Sequence, residues 1–414
     1  MKLSSGCPYS LIKNGLPYSY PKLEKDIRTD VLILGGGISG ALTAHYLIQE
    51  GIDCTLIDAR TIGFGSTCAS TSLLQYEIDT ALHQLIQMIG AKAAVRSYKL
   101  GESAISKLET LAEKTGMKDF ESKKSLYSAA YKKDVEFLKK EFEARKKYGF
   151  SVRYLKEQAV LKELGFESHG GILSETAATI DSYLFTHSLL QFNLKRGLKV
   201  YDRTSASTIK HNRINVQIRT ANKFTITAKK LVYATGYEVV GFISKPIVKL
   251  SSTYVIASES LNSPQKFGKN ETLIWNTANP YLYLRTTKDN RIIIGGRDEE
   301  FFSHIKRDKL IPHKTKLLQN DFRNMFPSIP FKTEFSLAGV FGSTKDGLPY
   351  IGAYKKIPNG FFALGFGGNG SYRLAHNPFC LIFAALILSL PKDGPVAQLN
   401  RASDYGSEGF RFES

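Results

Sequence analysis

Three glycines carry the first chemical possibility in this chain. Gly35, Gly37 and Gly40 follow the apolar run "VLILGG" and open the segment "ISGALTAHYLIQEG", and Asp58 closes the next apolar run, "CTLID". A dinucleotide pyrophosphate calls for this arrangement. The first glycine permits a tight turn, the second lets phosphate approach the backbone, and the third lets helix and strand lie close, while the helix amino terminus stabilises the anion. An acid at the end of the second strand suits the adenosine ribose hydroxyls. The turn alone does not separate one dinucleotide from another.

A second glycine cluster, Gly365, Gly367 and Gly370 in "FFALGFGGNGSYRLAHN", also follows an apolar strand, but no strand ending in an acid comes after it. It is therefore not a second dinucleotide turn. Its backbone amides suit a ring that gains negative charge on reduction, with a plain turn and helix cap as the alternative. The other reactive residue types are less informative. Cys7, Cys54, Cys68 and Cys380 lie far apart with no CxxC spacing, so neither a zinc site nor a disulfide framework is expected. The eight histidines show no paired spacing, and His376 reads as a core or helix residue rather than a base. No metal is expected.

These residues need a scaffold. "VLILGG" reads as a strand buried on both faces of a parallel sheet, and Ile38, Leu42, Tyr46 and Leu47 share a helical face that Gly51 terminates. Strand, helix and strand form one nucleotide-binding unit of the usual length. "AISKLETLAEKTG" and "DVEFLKKEFEARKKYG" predict amphipathic helices of an outer lobe. "SYLFTHSLLQFNLKRGLKVYD" predicts a helix, a glycine stop and a strand, and "KKLVYATGY" predicts another buried strand. "TYVIASES", "YLYLRTT" and "RIIIGG", joined by polar turns, predict an antiparallel sheet. The fold class is thus α/β: a Rossmann-like domain at 29–80, 165–240 and 338–392 with an inserted α+β, antiparallel-sheet substrate or cap domain at 81–164 and 241–337. Residues 1–28 read as an extended arm and 393–414 as a disordered tail.

Of 414 residues, 56 are Lys or Arg and 38 are Asp or Glu, a net charge of +18. Such a balance attracts nucleic acid, anionic membranes or acidic metabolites without choosing among them. The cations are spread rather than gathered in one tract, so nucleic acid is not an expected partner. No apolar run is long enough to span a bilayer, the longest being Pro378 to Leu390. Cys7 has no preceding apolar stretch that would mark it for lipidation, and the expected location is cytoplasmic.

With these pieces placed, the chain resembles the glycine, sarcosine and D-amino-acid oxidase family of FAD-dependent oxidoreductases from about Tyr20 to Leu390. The resemblance rests on the ordered segments "DVLILGGGISG", "LIDAR", "GFGSTCAST", "LVYATGY", "YLRTTKDNRIIIGG", "TKDGLPYIG" and "GFGGNG". It implies FAD as the cofactor. Gly35, Gly37, Ile38, Ser39 and Gly40 would hold the pyrophosphate, and Asp58 and Arg60 would lie by the adenosine. Ser66 and Thr67 would approach the flavin, although a Ser/Thr helix cap is an equal reading. Ala234, Thr235 and Gly236 would pass the adenine side. Asp346, Gly347, Leu348 and Pro349 would turn beneath the flavin, and Gly367, Gly368, Asn369 and Gly370 would meet its pyrimidine edge. Covalently flavinylated members carry a cysteine in the stretch corresponding to "AGVFGSTKDG", which has none here, so non-covalent FAD is expected.

The resemblance further implies oxidation of a small amine or amino acid by hydride transfer to flavin N5, with hydrolysis of the imine and oxygen or another acceptor taking the electrons. The flavin does the chemistry, so no obligatory side-chain acid or base need appear. Period-two alternation puts Tyr281, Tyr283 and Arg285 on one strand face and Leu282 and Leu284 on the other. Arg285 suits a bidentate carboxylate, or equally a structural ion pair. Tyr254, Arg297, Tyr372 and Arg373 are further pocket candidates. Two other functions stay open: a flavoenzyme acting on a modified tRNA nucleoside, and a non-catalytic flavoprotein.

Overall fold

The computed structural model describes residues 1–243, 246–261, 272–365 and 367. The expected buried strands lie side by side. Gly360–Leu364, Thr225–Tyr233, Ile27–Leu34, Cys54–Ile57 and Lys199–Tyr201 run parallel in that order. Their sequences are continuously apolar because both faces are covered. Val31, Ile33, Leu56 and Val232 pack under the helices Ile38–Gln49 and Ser182–Leu194. Leu32, Ile57, Leu231 and Tyr233 face the opposite side, against Val216 and Ile218 of the antiparallel hairpin Ala206–His211 and Val216–Thr220. Tyr350–Ala353 closes the far edge antiparallel to Gly360–Leu364.

The second sheet holds ten strands among the described residues. Its order runs Ser4–Gly6, Thr333–Ser343, Lys249–Ser258, Ile292–Glu299, Tyr283–Thr286, Leu273–Asn276, Glu121–Ser128, Gly171–Thr179 and Leu73–Gln75, with Val152–Leu155 also paired to Gly171–Thr179. One pairing, Leu273–Asn276 with Glu121–Ser128, is parallel. Alternation divides its faces. Tyr254, Ile256, Leu284, Ile292 and Ile294 pack against Leu318 and Phe322 of the helix His304–Met325. Complete burial of Leu318 and Phe322 contributes about 2–3 kcal/mol each. Thr253, Val255, Tyr283 and Leu337 point the other way, toward the first sheet.

The amphipathic segments of the outer lobe form the helices Ala91–Lys114 and Val135–Lys147. Three features differ from the sequence reading. The first 28 residues are not merely an extended arm: Ser4–Gly6 pairs with Thr333–Ser343 and Tyr9–Asn14 is a short helix. Their polar, Tyr-rich composition hid an edge strand whose partner lies more than three hundred residues away. The strands Leu73–Gln75 and Gly171–Thr179, grouped with the nucleotide-binding segments in the sequence, belong to the second sheet. So does Thr333–Ser343, across the expected boundary at 338. No helix among the described residues is long and apolar enough to cross a membrane.

Candidate active site

A cavity of about 590 Å³ runs between the two sheets, from the turn at Gly35 to the tyrosines of the second sheet. This is within the range of about 300–1,000 Å³ usual for ligand clefts. At one end, the carbonyl chain ends of Ile27–Leu34 and Thr225–Tyr233 leave the sheet together. Gly35 has φ +119°, and a Cβ there would overlap the Ala234 carbonyl. A Cβ on Gly40 would overlap the Gly35 carbonyl oxygen, so the helix Ile38–Gln49 starts this close to the strand only with glycine at both positions. Thr67 braces the turn: its Oγ1 accepts the Ile38 N–H at 3.1 Å.

Asp58 lines the same end. Its carboxylate accepts the Gly36 N–H at 2.6 Å and the Arg60 N–H at 2.7 Å. Burial pushes its carboxyl up from the usual range, against the pull of those two N–H groups. Arg60 grips Glu238 through both terminal nitrogens, at 3.1 and 2.5 Å, and the pair flanks the cavity. Ser66 Oγ, Thr235 Oγ1 and Arg60 Nε are buried without a hydrogen-bond partner among the described residues, and all three residues line the cavity. Buried donors left unpaired cost about 1–3 kcal/mol each. A pyrophosphate and ribose supply acceptors for them, so the residues fit an adenine dinucleotide.

The other half of the cavity has a different character. Thr71, Gln75, Thr253, Val255, Trp275, Tyr281 and Tyr283 form its wall. Trp275 stacks on Tyr127 with ring centroids 3.7 Å apart. Asp79 stands beside the tyrosines, accepting the Tyr281 hydroxyl at 3.1 Å. Gly365 and Gly367 reach the cavity here, and a Cβ on Gly367 would sit 2.9 Å from Asp79 Oδ2.

The structure brings together Gly35, Gly37, Ile38, Ser39, Asp58, Arg60, Ser66, Thr67, Ala234, Thr235, Gly236, Tyr281, Tyr283, Gly365 and Gly367 around this cavity, with Gly40 packed behind the turn. Asp346 and Gly347 do not line it. Asp346 accepts the Leu348 N–H at 3.0 Å, and Gly347 packs against Thr80 and Ile78. Arg285 is correctly on the Tyr283 face but is spent on the backbone. Its Nε donates to the Thr71 carbonyl at 2.5 Å and its Nη1 to the Thr286 carbonyl at 3.1 Å, and it does not reach the cavity. Tyr254 points to the opposite face, under Lys314 of the helix. Arg297 pairs with Asp321. Gly368, Asn369, Gly370, Tyr372, Arg373, His376 and the tail lie outside the described residues.

Comparison with known proteins decides between dinucleotides. A family model, DAO, FAD dependent oxidoreductase, matches residues 30–371. The chain belongs to this family. It is an FAD-dependent oxidoreductase. Among curated relatives, the gamma-glutamylputrescine oxidoreductase of Escherichia coli is 24% identical over 85% of this chain and 82% of its own. The D-amino acid dehydrogenase of Neisseria meningitidis is 24% identical over 82% and 91%. The Bacillus subtilis protein YhfW is 27% identical over 46% of this chain, which spans only 37% of that protein's length. Among solved structures, glycine oxidase from Geobacillus kaustophilus superposes with a TM-score of 0.72 at 19% identity, covering 89% of this chain and 97% of that one. The last likeness is one of fold.

Sequence reasoning missed Ser205, Ala206 and Phe242 at the adenosine end and Gln75, Asp79, Tyr237 and Trp275 toward the other. Most carried no signal, being ordinary residues of loops and strand ends. Two did: Trp275 is the single tryptophan of the chain, and Asp79 is an acid that stands, with Gln75 and Glu77, among the apolar residues of "LLQYEID".

No cysteine occurs in the 338–347 stretch. Cys68, adjacent to Thr67, is buried with its thiol pushed up to about 11 by burial first, and it does not line the cavity. A thiol of that kind is a poor nucleophile. Acid precipitation of the flavoprotein is expected to leave a colourless pellet and yellow supernatant; a yellow pellet would show a covalent bond.

Proposed function

We propose that this flavoenzyme oxidises the C–N bond of a small amine or amino acid. The observation that carries the reading is one continuous cavity that joins the nucleotide turn to an aromatic wall. Relatives named for an amine and for D-amino acids point to the same bond.

When bound, FAD supplies a two-electron acceptor for hydride at N5. The chain's own residues do the rest. The turn at Gly35 to Gly40 and the pair Arg60–Glu238 would hold one end of the cofactor and thereby set the position of the other. Val255, Tyr281, Tyr283 and Leu337 exclude water from the substrate half and hold the substrate carbon in place. The amine must be uncharged when its α-carbon loses hydride. Its proton leaves before that step, and Asp79 is the carboxylate at the substrate half among the described lining residues. The two electrons and one hydrogen leave as hydride, the carbon and nitrogen become an imine, and water converts this to a carbonyl compound and free amine. Over a full turnover, the two electrons and two hydrogens lost by the amine would end on dioxygen as hydrogen peroxide, or on another acceptor.

Anaerobic mixing of the purified holoprotein with a panel of amines and amino acids tests the reading. Bleaching of the flavin absorbance by at least one compound is expected. A flavin reduced by dithionite but by no member of a broad panel would overturn it.

A further inference from the structure

The family match begins at residue 30, so the family's pattern assigns nothing to the segment before it. Within that segment the strand Ser4–Gly6 is held by more than its own pairing. It runs antiparallel to Leu337, Ala338 and Gly339, and the ladder extends one bond beyond each end: the Leu3 carbonyl accepts the Val340 N–H at 2.8 Å, and the Cys7 N–H donates to the Ser336 carbonyl at 2.9 Å. The approach is close. Gly6 has φ +84°, and a Cβ there would overlap the Ser336 carbonyl oxygen.

A strand this short near a chain end frays unless something else ties it down. The helix His304–Met325 supplies that tie through Arg307, whose side chain is completely buried. Its Nη1 donates to the Lys2 and Leu3 carbonyls at 3.2 and 3.3 Å, and its Nη2 donates to Ser5 Oγ at 2.8 Å. Asp308 completes the clasp, accepting from Arg307 Nε at 3.2 Å, from Ser5 Oγ at 2.9 Å and from Lys2 Nζ at 2.8 Å. Taking a guanidinium out of water is costly unless its N–H groups find acceptors. Here the strand and the residues beside it provide them.

What the clasp positions is Leu3. Its side chain packs on Leu250 and Val340 and lines the cavity. It does so by the nucleotide turn rather than at the aromatic wall: a Cβ on Gly65 would lie 3.6 Å from Leu3 Cδ1, and Gly65 leads directly into Ser66 and Thr67, of which Thr67 braces the turn. Leu3 is thus fixed to the second sheet yet lies beside the loop that serves the first. A strand that only covered a sheet edge would have no need to present an apolar side chain to the cofactor cavity.

We propose that Leu3 is an FAD-contacting residue and that Arg307, on the helix outside the second sheet, is the positioning residue that holds it there. Arg307 does not itself line the cavity, so its effect on the cofactor passes through the strand. Leu3 keeps water from the cofactor where it passes the 65–67 loop. The coupling is reciprocal: whatever factor the seated strand contributes to FAD affinity, bound FAD returns to the seating of the strand.

The test measures two quantities on the full chain: the FAD dissociation rate constant, from the recovery of free-flavin fluorescence after dilution of the holoprotein, and the amide hydrogen exchange of residues 3–7 with and without FAD. Arg307→Met, which removes the hydrogen bonds of a charged donor, is expected to speed FAD release at least about tenfold. Leu3→Ser, which removes an apolar contact and leaves the backbone pairing, is expected to speed it about fivefold. In the unaltered protein FAD is expected to slow exchange at residues 3–7 at least about tenfold, and Arg307→Met should lose most of that protection. Exchange at the strand Thr225–Tyr233 of the apoprotein is the control on folding; if Arg307→Met fails it, Leu3→Ser and the unaltered protein decide. FAD release within about twofold of the unaltered rate in both variants, or equal exchange at residues 3–7 with and without FAD, would overturn the inference. Faster release in Arg307→Met with an unchanged rate in Leu3→Ser would overturn the contact assigned to Leu3, and the converse the role assigned to Arg307.

Discussion

Replacing Gly40 by alanine is expected to give protein that no longer retains FAD. The added methyl group would overlap the Gly35 carbonyl oxygen and press on the Gly35 carbonyl carbon, both backbone atoms that no side-chain rotation relieves. Overpacking ordinarily costs about 1–3 kcal/mol. Here the only escape is to slide the helix Ile38–Gln49 away from the strand Ile27–Leu34, which moves the N–H groups that face the pyrophosphate. The effect thus falls on the cofactor more than on the fold. A rise of at least about 100-fold in the FAD dissociation constant is expected, equivalent to roughly 2.7 kcal/mol, measured by titrating apoprotein and following flavin fluorescence. Gly51→Ala is the matched control. Gly51 ends the same helix at φ +75° with open space around its would-be Cβ, so that substitution costs about 1 kcal/mol of stability and leaves FAD affinity within twofold. Equal losses of affinity in the two variants would mean that general helix destabilisation, not the approach of Gly40 to Gly35, explains the effect.

The nucleotide end was legible because its determinants are local. Gly35, Gly37, Gly40 and Asp58 lie within one strand, helix and strand unit, where each residue type answers to a single backbone requirement. Strand alternation was equally readable: Tyr281 and Tyr283 do face the cavity, and Leu282 and Leu284 the helix side. What alternation cannot report is where a long side chain ends. Arg285 leaves the correct face and then meets the Thr71 carbonyl, a partner from a loop more than two hundred residues earlier. Tyr254 shows the complementary failure. A tyrosine next to lining residues looks equivalent to them until the pairing register fixes its face, and Thr253 and Val255 then take the cavity side. The Ser4–Gly6 strand was unreadable for the same reason, and Asp79, though visible as an acid among apolar residues, gave no sign of what it faces: both take their meaning from long-range pairing, not from neighbours in sequence.

Arg145→Ala is expected to be the most destabilising single change away from the cofactor. Arg145, Glu77 and Glu141 all have side-chain exposures of 0%. The guanidinium donates to Glu141 at 2.6 Å and to Glu77 at 3.1 Å. Glu141 in turn accepts the Leu82 and His83 N–H groups, each at 3.0 Å, and so satisfies the open amino terminus of the helix Leu82–Ile89. Removing the arginine leaves two buried carboxylates without their cation, a loss of about 3–5 kcal/mol when one partner of a buried pair is deleted.

The pH dependence has a definite sign. Burial pushes the Glu141 carboxyl up, but Arg145 and the His83 and Leu82 hydrogen bonds more than offset this and hold it below the usual range. Its stabilising contribution in the native protein is present above the unfolded carboxyl value of about 4.3 and is lost as pH falls through the depressed one. Glu77 is already raised by burial despite Arg145. Without the arginine both acids are raised, so the variant suffers its full deficit at pH 8 and recovers part of it as the pH approaches 5 and the carboxyls take up protons. Urea unfolding at the two pH values checks this; a deficit below about 1 kcal/mol, or one that grows on acidification, would contradict it. The cluster also bears on the site, because Glu77 lies between the lining residues Gln75 and Asp79. A chain segment clamped by a buried ion pair can hold Asp79 against Tyr281. Glu77→Gln combined with Arg145→Met and Glu141→Gln removes every charge of the cluster and should restore most of the stability. If the rate of flavin reduction by the best amine returns with it, the cluster acts only through the fold. If stability returns and that rate does not, the clamp itself positions Asp79 beside Tyr281.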